Sequence, residues 1–384
     1  MAIPETLASL GTSPGRPRIL VITLRRLGDV LLTTPLIRSL RRRWPDAQID
    51  TLVFAGTQGI LAGNPDLNSI LTLAEKASPL ATLRLMAKLR RRYDLAISTQ
   101  TGDRPTLFTW IAGRSRIGLV KPDDSAGWIK RRLLDVRVPA ELTVHRVTET
   151  LRLVEAAGAA PDATLVPPQG GAYASPPAGR YAVLHPNPKY PLRRWTRAGW
   201  HGLAAALRAR GLAVVVTGGP DPEEKRYLDD LWAGGATPVD RRDGQLDWPQ
   251  LAALIGKAAV YVGPDTSMTH LAAATGCPTV GLYGPASPVI IGPWPRGGFQ
   301  GGFPAGLAGS WAPSGTVQHR GNVWLVQNPA GCPFGIFPCE RLGCDGHLNS
   351  RSQCLDELTA EQVLSAVDAA LAGSNNQAAT SGAT

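Results

Sequence analysis

The sequence predicts an α/β protein built from two doubly wound domains, each with a parallel sheet between helices. Short apolar runs alternate with amphipathic stretches in both halves of the chain, as they do in repeated βαβ units. The length of 384 residues is too great for one core of ordinary size. A segment rich in proline, glycine and serine, at 167–179, separates the two halves as a linker would.

Composition and periodicity give the predicted organisation along the chain. It consists of a disordered lead-in over 1–17, a first Rossmann-like domain over 18–166, the linker over 167–179, a second Rossmann-like domain over 180–356, a C-terminal helix over 357–372 and a disordered tail over 373–384.

The first domain opens with a buried strand over 18–24, and Asp29 ends the loop that follows it. An amphipathic helix with a basic outer face follows over 30–44, which Pro35 should kink or delay. Further strands are predicted over 49–54 and 93–98, a basic amphipathic stretch over 78–92 and a helix over 145–157. Asp29 is thus placed at the carboxyl end of a strand, where doubly wound domains carry their sites. Alternatively, it only caps the helix.

The second domain contains the stretch around which the chain is organised. Strands are predicted over 181–185 and 213–217, and helices from 221 onward and over 246–256. The segment 261–276, YVGPDTSMTHLAAATG, then reads as a strand end, a turn capped by Asp265 and Thr266, and an Ala-rich helix carrying His270. Backbone N–H groups and the helix dipole can hold an anion there, and a diphosphate would suit the place. Alternatively, Asp265 only caps the helix and His270 only fills a groove.

Charge is distributed unevenly along the chain. The net charge is +10, and residues 1–160 hold 24 Lys/Arg against 14 Asp/Glu, whereas residues 161–384 hold 16 against 16. A basic first domain favours an anionic partner such as nucleic acid, a phosphorylated glycolipid or an acidic membrane face. An arginine-rich composition inherited from a GC-rich genome is the alternative.

The sequence also bears on location. No run approaches the ~20 apolar residues of a membrane-spanning helix, and the start, MAIPE, lacks the basic and apolar regions of a signal peptide. We therefore expect a cytoplasmic protein. The stretch 78–92 sets leucines against basic residues and could lie on an acidic membrane surface, although a solvated face on a packed helix explains it equally well.

The segment 261–276 resembles the C-terminal signature of the glycosyltransferase family 9 heptosyltransferases, and LRRLGDVLLTTP at 24–35 resembles their N-terminal signature. The family transfers heptose from ADP-heptose to the growing lipopolysaccharide core, and the match is closest to the branch that adds the third core heptose. The resemblance implies a GT-B architecture, in which two Rossmann-like doubly wound parallel-sheet domains face a cleft.

The same resemblance implies roles for individual residues. Asp29 would be the catalytic base of an inverting transfer, and Asp265, Thr266 and His270 would belong to the nucleotide-sugar site. Arg193 stands where the family has a lysine two residues before a tryptophan, here Trp195, and would reach the donor phosphates.

Two further donor contacts are expected, and no cofactor or metal. Lys189 offers a second cation beside the donor phosphates. Glu224, in the first turn of a helix, would accept the ribose hydroxyls, unless it is only a partner of the helix dipole. Charged groups would replace a divalent metal in stabilising ADP. The expected partners are ADP-heptose, the lipopolysaccharide core and the acidic inner-membrane surface, with no nucleic acid.

Five cysteines remain. Cys277 is expected in the core, and Cys332, Cys339, Cys344 and Cys354 follow one another in a single loop region with a spacing that matches no standard zinc signature. Disulfides are not expected in a cytoplasmic protein, which leaves metal binding or packing as alternatives. Some family relatives bind iron through such a cluster.

Two other functions stay open at the level of sequence. The chain could use another nucleotide sugar or a protein acceptor within the same enzyme class. It could instead bind nucleotides or nucleic acid without catalysis, in which case RNA binding should depend steeply on salt. No RNA-recognition signature with interleaved aromatic residues accompanies the basic charge.

Overall fold

The computed structural model describes residues 16–121, 132–141, 143–171, 177–299 and 310–381. The described residues fall into two compact units, one up to Pro168 and the other from Gln169 onward. The predicted lead-in lies outside the described residues except for its last two positions, and the middle of the predicted linker lies outside them as well.

Strands and helices alternate along the first unit. Its strands are β1 (Arg18–Thr23), β2 (Gln48–Phe54), β3 (Ser69–Leu73), β4 (Tyr93–Ser98), β5 (Gly113–Val120) and β6 (Val136–Pro139). Its helices are α1 (Leu27–Leu31), α2 (Thr34–Arg43), α3 (Pro79–Leu89), α4 (Asp103–Ala112) and α5 (Arg146–Ala156). A 3₁₀ turn spans Gln58–Leu61.

The strands of this unit form a parallel sheet in the order β3-β2-β1-β4-β5-β6. The order reverses between β1 and β4, so the crevice that doubly wound folds use for ligands lies at the carboxyl ends of these two strands. The apolar residues of β1 are wholly buried, as the unbroken run in the sequence predicts.

The helix predicted over 30–44 is divided in two. The five-residue α1 carries Asp29, and α2 begins at Thr34 with Pro35 in its first turn. Proline has no N–H group to donate and its ring clashes with the preceding turn, so it is tolerated at the start of a helix and not inside one. Asp29 therefore lies on a short helix of its own, directly after β1.

The second unit repeats this plan. Its strands are β7 (Tyr181–Leu184), β8 (Ala213–Val216), β9 (Asp240–Arg241), β10 (Val260–Pro264), β11 (Thr279–Leu282), β12 (Val317–Arg320) and β13 (Val323–Val326). Its helices are α6 (Arg197–Ala209), α7 (Pro222–Trp232), α8 (Trp248–Gly256), α9 (Ser267–Thr275), α10 (Pro288–Ile291), α11 (Gln353–Asp356) and α12 (Ala360–Ser381). Short 3₁₀ turns span Pro191–Arg193 and Pro329–Gly331.

The sheet of the second unit has the order β12-β13-β11-β10-β7-β8-β9. It is parallel except for β12, which pairs antiparallel with β13 at one edge. The order reverses between β7 and β10, which places the second crevice beside the segment 261–276.

The last helix packs on this second sheet. Val363, Ala366, Val367 and Ala370 of α12 join the buried core of the unit. The helix begins at Ala360 and continues to Ser381, so it extends into the segment for which composition predicts disorder.

Candidate functional site

Arg193 lies in the loop after β7, and hydrogen bonds fix this loop on both sides of Arg193. Trp195 is almost completely buried, and its indole Nε1 donates a hydrogen bond to the carbonyl of Leu358 at 2.7 Å. The hydroxyl of Ser352 donates to the carbonyl of Leu192 at 2.7 Å. Residues from the C-terminal part of the unit therefore fix the backbone of the Arg193 loop.

Arg193 reaches from this loop to Asp265 at the end of β10. Its Nη1 lies 3.0 Å from the Asp265 carboxylate and donates to the Asp265 carbonyl at 2.9 Å. Asp265 is only 4% exposed. Burial raises the pKa of its carboxyl, an effect that Arg193 and, less strongly, Tyr283 oppose. The two predicted donor residues thus form one ion pair at the switch point of the sheet, in which the carboxylate is buried and the arginine is partly exposed.

Tyr283, directly after β11, is a further member of this cluster that the sequence analysis did not single out. Its hydroxyl donates to the carbonyl of Ile291 at 3.2 Å and also interacts with the Asp265 carboxylate. Burial, followed by the nearby Asp265 charge, raises the pKa of Tyr283 well above its usual value. The tyrosine therefore remains neutral, with its hydroxyl beside the Asp265 carboxylate.

The start of α9 differs from the expected cap. Thr266 is the N-cap residue, and within the described residues its hydroxyl does not cap a helical N–H group. Asp265 precedes the cap and is engaged with Arg193. The alternative that Asp265 only caps the helix is therefore wrong. His270 lies one turn into α9 and is buried.

Glu224 lies in the first turn of α7, the helix that follows β8. Its Oε2 accepts a hydrogen bond from the N–H of Gly219 at 2.8 Å. A Cβ on Gly219 would lie 2.3 Å from that oxygen, so a larger residue there would displace the Glu224 carboxylate. Burial raises the pKa of Glu224, whereas Gly219 and the side chain of Asn187 oppose the shift. Asp221 caps α7, because its carboxylate accepts hydrogen bonds from the N–H groups of Glu223 and Glu224. The helix start therefore has a carboxylate partner other than Glu224.

His185 and Lys189 complete the carboxyl edge of β7. His185 is buried, its Nδ1 lies 3.1 Å from the Thr217 hydroxyl, and burial lowers its pKa to about 4. It is therefore neutral near pH 7. Lys189 is exposed, with its ammonium 5.5 Å from the centre of the Tyr190 ring.

Asp29 occupies the corresponding edge of the first unit. It lies in the first turn of α1, whose N-cap residue is Arg26, so the alternative that Asp29 only caps the helix is wrong. The Asp29 carboxylate is partly exposed and lies 3.7 Å from Nη1 of Arg25. The preceding backbone is fixed, because the Gln100 amide donates to the Leu24 carbonyl and accepts from its N–H group, both at 2.9 Å.

A small open depression, called the Asp29 pocket below, lies beside Asp29 within the first unit. Its wall includes Arg25 and, from α5, Arg146 and Glu149. Sequence reasoning missed these last two residues. The only available signal was their spacing of three along a helix, which brings an arginine and a glutamate together on one face.

The four clustered cysteines do lie near one another. Cys354 is buried, and its pKa is raised to about 12, chiefly by burial and then by Cys339, Cys332 and Cys344. The Cys332 thiol donates to the Ile336 carbonyl at 3.1 Å, and Cys344 Sγ accepts from the N–H of Gln353 at 3.3 Å. Among the described residues, no group of three His, Cys, Asp or Glu side chains is arranged to hold a metal ion. Cys277 is buried in the core, as expected.

Sequence comparison finds related proteins over most of the chain. Residues 82–297 match the profile of glycosyltransferase family 9 (heptosyltransferase). The chain is 30% identical over 295 residues to lipopolysaccharide heptosyltransferase 3 of Escherichia coli, covering 71% of this chain and 84% of that protein.

Structural comparison finds the same fold in solved structures. A family 9 glycosyl transferase from Veillonella parvula superposes with a TM-score of 0.72 at 17% identity, covering 93% of this chain and 97% of that one. The E. coli heptosyltransferase WaaC with ADP gives a TM-score of 0.66 at 20% identity, covering 92% and 99%. These similarities, together with two Rossmann-like units, confirm the predicted GT-B fold class.

Proposed function

The chain belongs to glycosyltransferase family 9, and on that basis we propose that it transfers heptose from ADP-heptose to the lipopolysaccharide inner core, as an inverting enzyme of the third-heptose branch. The observation that carries the proposal is the Arg193–Asp265 pair at the switch point of the second sheet, in a chain 30% identical to a lipopolysaccharide heptosyltransferase 3. Charged and helix-end groups at such a position suit a diphosphate.

The carboxyl edge of the second sheet would bind the donor. Arg193 can donate to the donor phosphates while Nη1 stays on Asp265, because a guanidinium has five N–H groups. The start of α9, at Thr266, would add backbone N–H groups, and His270 lies one turn further along this helix. Glu224 would accept the ribose hydroxyls at the end of β8. Lys189, exposed at the edge of the site, would contribute long-range attraction.

Asp29 in the first unit would be the catalytic base. Its carboxylate takes the proton of the acceptor hydroxyl as that oxygen attacks the anomeric carbon and the bond from this carbon to ADP breaks. Arg193 and the N–H groups of α9 stabilise the negative charge that develops on ADP. The anomeric configuration inverts because the attack occurs opposite the leaving group.

The role of Asp29 as catalytic base is tested with the purified variant Asp29→Asn, supplied with ADP-heptose and a truncated lipopolysaccharide core as the acceptor. We expect normal melting and ADP affinity with a loss of roughly 10²–10⁴-fold in turnover, since the amide keeps the shape but takes no proton. Asp103→Asn, which alters a first-turn acid of α4 in the same unit, is the matched control and should be fully active. Turnover of Asp29→Asn near that of the control rejects the base.

Product analysis separates this function from its relatives. Wild-type protein is offered ADP-heptose, other ADP- and UDP-sugars, core oligosaccharide and protein acceptors. We expect mass spectrometry to find one heptose added to the core oligosaccharide. Transfer of another sugar, or transfer to protein alone, would assign a different function to the same fold.

The exposed side of helices α3 and α4 would associate with the acidic face of the inner membrane, on its cytoplasmic side. Leu80 and Leu83 of α3 are 56% and 63% exposed, and Trp110 of α4, a helix that packs against α3, is 41% exposed. In the described residues, no helix has the length and apolar character needed to cross a membrane.

Basic residues adjoin these apolar side chains. Arg84 and Lys88 lie on the same exposed stripe of α3 as Leu80 and Leu83, and 90–92 continue the positive charge after the helix. Apolar side chains beside positive charge fit a lipid surface that is apolar inside and anionic at its headgroups.

Vesicle sedimentation tests this surface. Wild-type protein should bind vesicles containing phosphatidylglycerol and not vesicles of pure phosphatidylcholine. Leu83→Glu should abolish that binding without changing turnover on a water-soluble acceptor. Binding by Leu83→Glu equal to that of wild type would exclude this face of the protein.

A further inference from the structure

The pocket beside Asp29 contains a charged pair whose role the proposed chemistry leaves unexplained. Glu149 is 2% exposed, and its Oε2 accepts from Nη1 of Arg146 at 2.7 Å. Its Oε1 accepts from the N–H of Glu141 at 3.3 Å. Both carboxylate oxygens are therefore engaged, and the arginine is held in one position by a buried partner.

Arg146 is not buried with its partner. Its side chain is 24% exposed and lines the same pocket as Asp29 and Arg25. Of the five N–H groups of the guanidinium, those on Nη1 are directed to Glu149. A guanidinium positioned by a buried carboxylate, with further donors at a pocket wall, is suited to bind an anion in a defined orientation.

The neutral donors of the pocket are already used. The hydroxyls of Thr33 and Thr150 donate to the carbonyls of Val30 and Val147, at 2.6 and 2.9 Å. Thr99 donates to the Ile22 carbonyl, and the hydroxyl of Thr23 pairs with that of Thr99. An anion in this pocket would therefore be held mainly by Arg25 and Arg146, whose charges are matched within the pocket by Asp29 and Glu149.

We propose that Arg146, positioned by Glu149, binds an anionic substituent of the acceptor sugar next to the hydroxyl that Asp29 deprotonates. The substituent is a phosphate or a carboxylate, and its binding selects acceptors that carry the charge. This inference rests on the proposed function, since it assumes that the Asp29 pocket receives the acceptor.

The test compares three forms of deacylated core oligosaccharide: intact, dephosphorylated with hydrofluoric acid, and carboxyl-reduced. Wild-type protein should bind the intact form at least tenfold more tightly than one of the two neutralised forms, as measured by calorimetry without donor. The form that loses affinity identifies the substituent. Equal affinity for all three forms, or no binding of any, overturns the proposal.

Variants then assign the effect to Arg146. Arg146→Gln should raise the KM for intact acceptor about 10- to 100-fold, the value of one charge-assisted hydrogen bond, and leave the KM for donor unchanged. With the neutralised acceptor it should have no further effect. Arg152→Gln, on the same helix but paired with Glu141 and absent from the pocket wall, is the matched control and should behave as wild type.

A double variant separates the loss of the Arg146 charge from a loss of folding. Arg146→Gln alone leaves Glu149 buried without its counter-ion, which can lower stability. Arg146→Gln/Glu149→Gln removes both charges at nearly constant volume, and its melting temperature is measured first. If this double variant melts like wild type and still prefers the intact acceptor, the proposal is wrong. Because the preference of the double variant is read from calorimetric affinities without turnover, this failure is distinct from failure of heptose transfer.

Discussion

Removing Arg193 should lower both the stability of the second unit and its affinity for the donor. In Arg193→Ala, the Asp265 carboxylate, 4% exposed, loses its counter-ion. An uncompensated buried charge costs about 3–5 kcal/mol, so we expect a clear fall in melting temperature near neutral pH. ADP and ADP-heptose affinity should fall as well, whereas Arg193→Lys should retain much of both.

The pH dependence of that cost has a definite sign. The guanidinium opposes the burial-induced rise in the Asp265 pKa, so its loss raises this pKa further. The cost is complete at pH values well above the raised pKa, where the carboxylate is ionised. It shrinks as the pH falls through the raised pKa, because a protonated carboxyl needs no counter-ion. The difference in melting temperature between wild type and variant should therefore be smaller at pH 5 than at pH 8.

A double variant decides between the two roles of the arginine. Arg193→Met/Asp265→Asn has no buried charge and should recover most of the lost stability. If Arg193 also contacts the donor phosphates, calorimetry will show that ADP affinity remains low after stability has returned. Wild-type ADP affinity in the double variant would refute the phosphate contact and leave only an ion pair that stabilises the fold.

Three further outcomes follow from the second unit. With the His185 pKa near 4, the unfolded chain binds a proton that the folded chain does not between pH ~6.5 and about 4, so the melting temperature should decrease as the pH is lowered across that window. His185→Gln should make the melting temperature less dependent on pH in the same window. Gly199→Ala would place a Cβ 2.3 Å from the Trp195 ring and should cost about 1–3 kcal/mol by denaturant unfolding, with weaker ADP binding. Lys189→Ala should lower ADP affinity far less than Arg193→Ala, because this lysine is exposed; an equal loss would contradict that ranking.

Local pattern was sufficient for the elements that carry the site. The apolar run of β1 and the Ala-rich helix after β10 are short-range features, and the structure places Asp29 and Thr266 just after the strands that the pattern indicates. The predicted loop before residue 30 is wrong in part, because Gly28 and Asp29 lie in the helix α1. Pro35 was a correct sign of a helix boundary, because a ring that lacks an N–H acts within one turn.

Pairing between distant residues could not be read from the same pattern. Arg193 and Asp265 are 72 residues apart, and their contact depends on strand order, which periodicity does not fix. Glu149 occupies a position that suits a solvated helix face, and only the packing of α5 shows that it is buried. Tyr283 reads as the end of an apolar run until the sheet brings it to Asp265.

The hydrogen bonds that join Ser352 and Leu358 to the Arg193 loop tie the proposed nucleotide site to the last part of the described chain. A ribosome that stops at residue 350 would release a polypeptide containing every side chain assigned to the donor, yet lacking both restraints on that loop. We therefore expect a frameshift just before residue 352 to weaken nucleotide binding without changing a residue assigned to the donor. We expect variation in this stretch to affect the proposed donor site even where every residue assigned to ligand contact is unchanged.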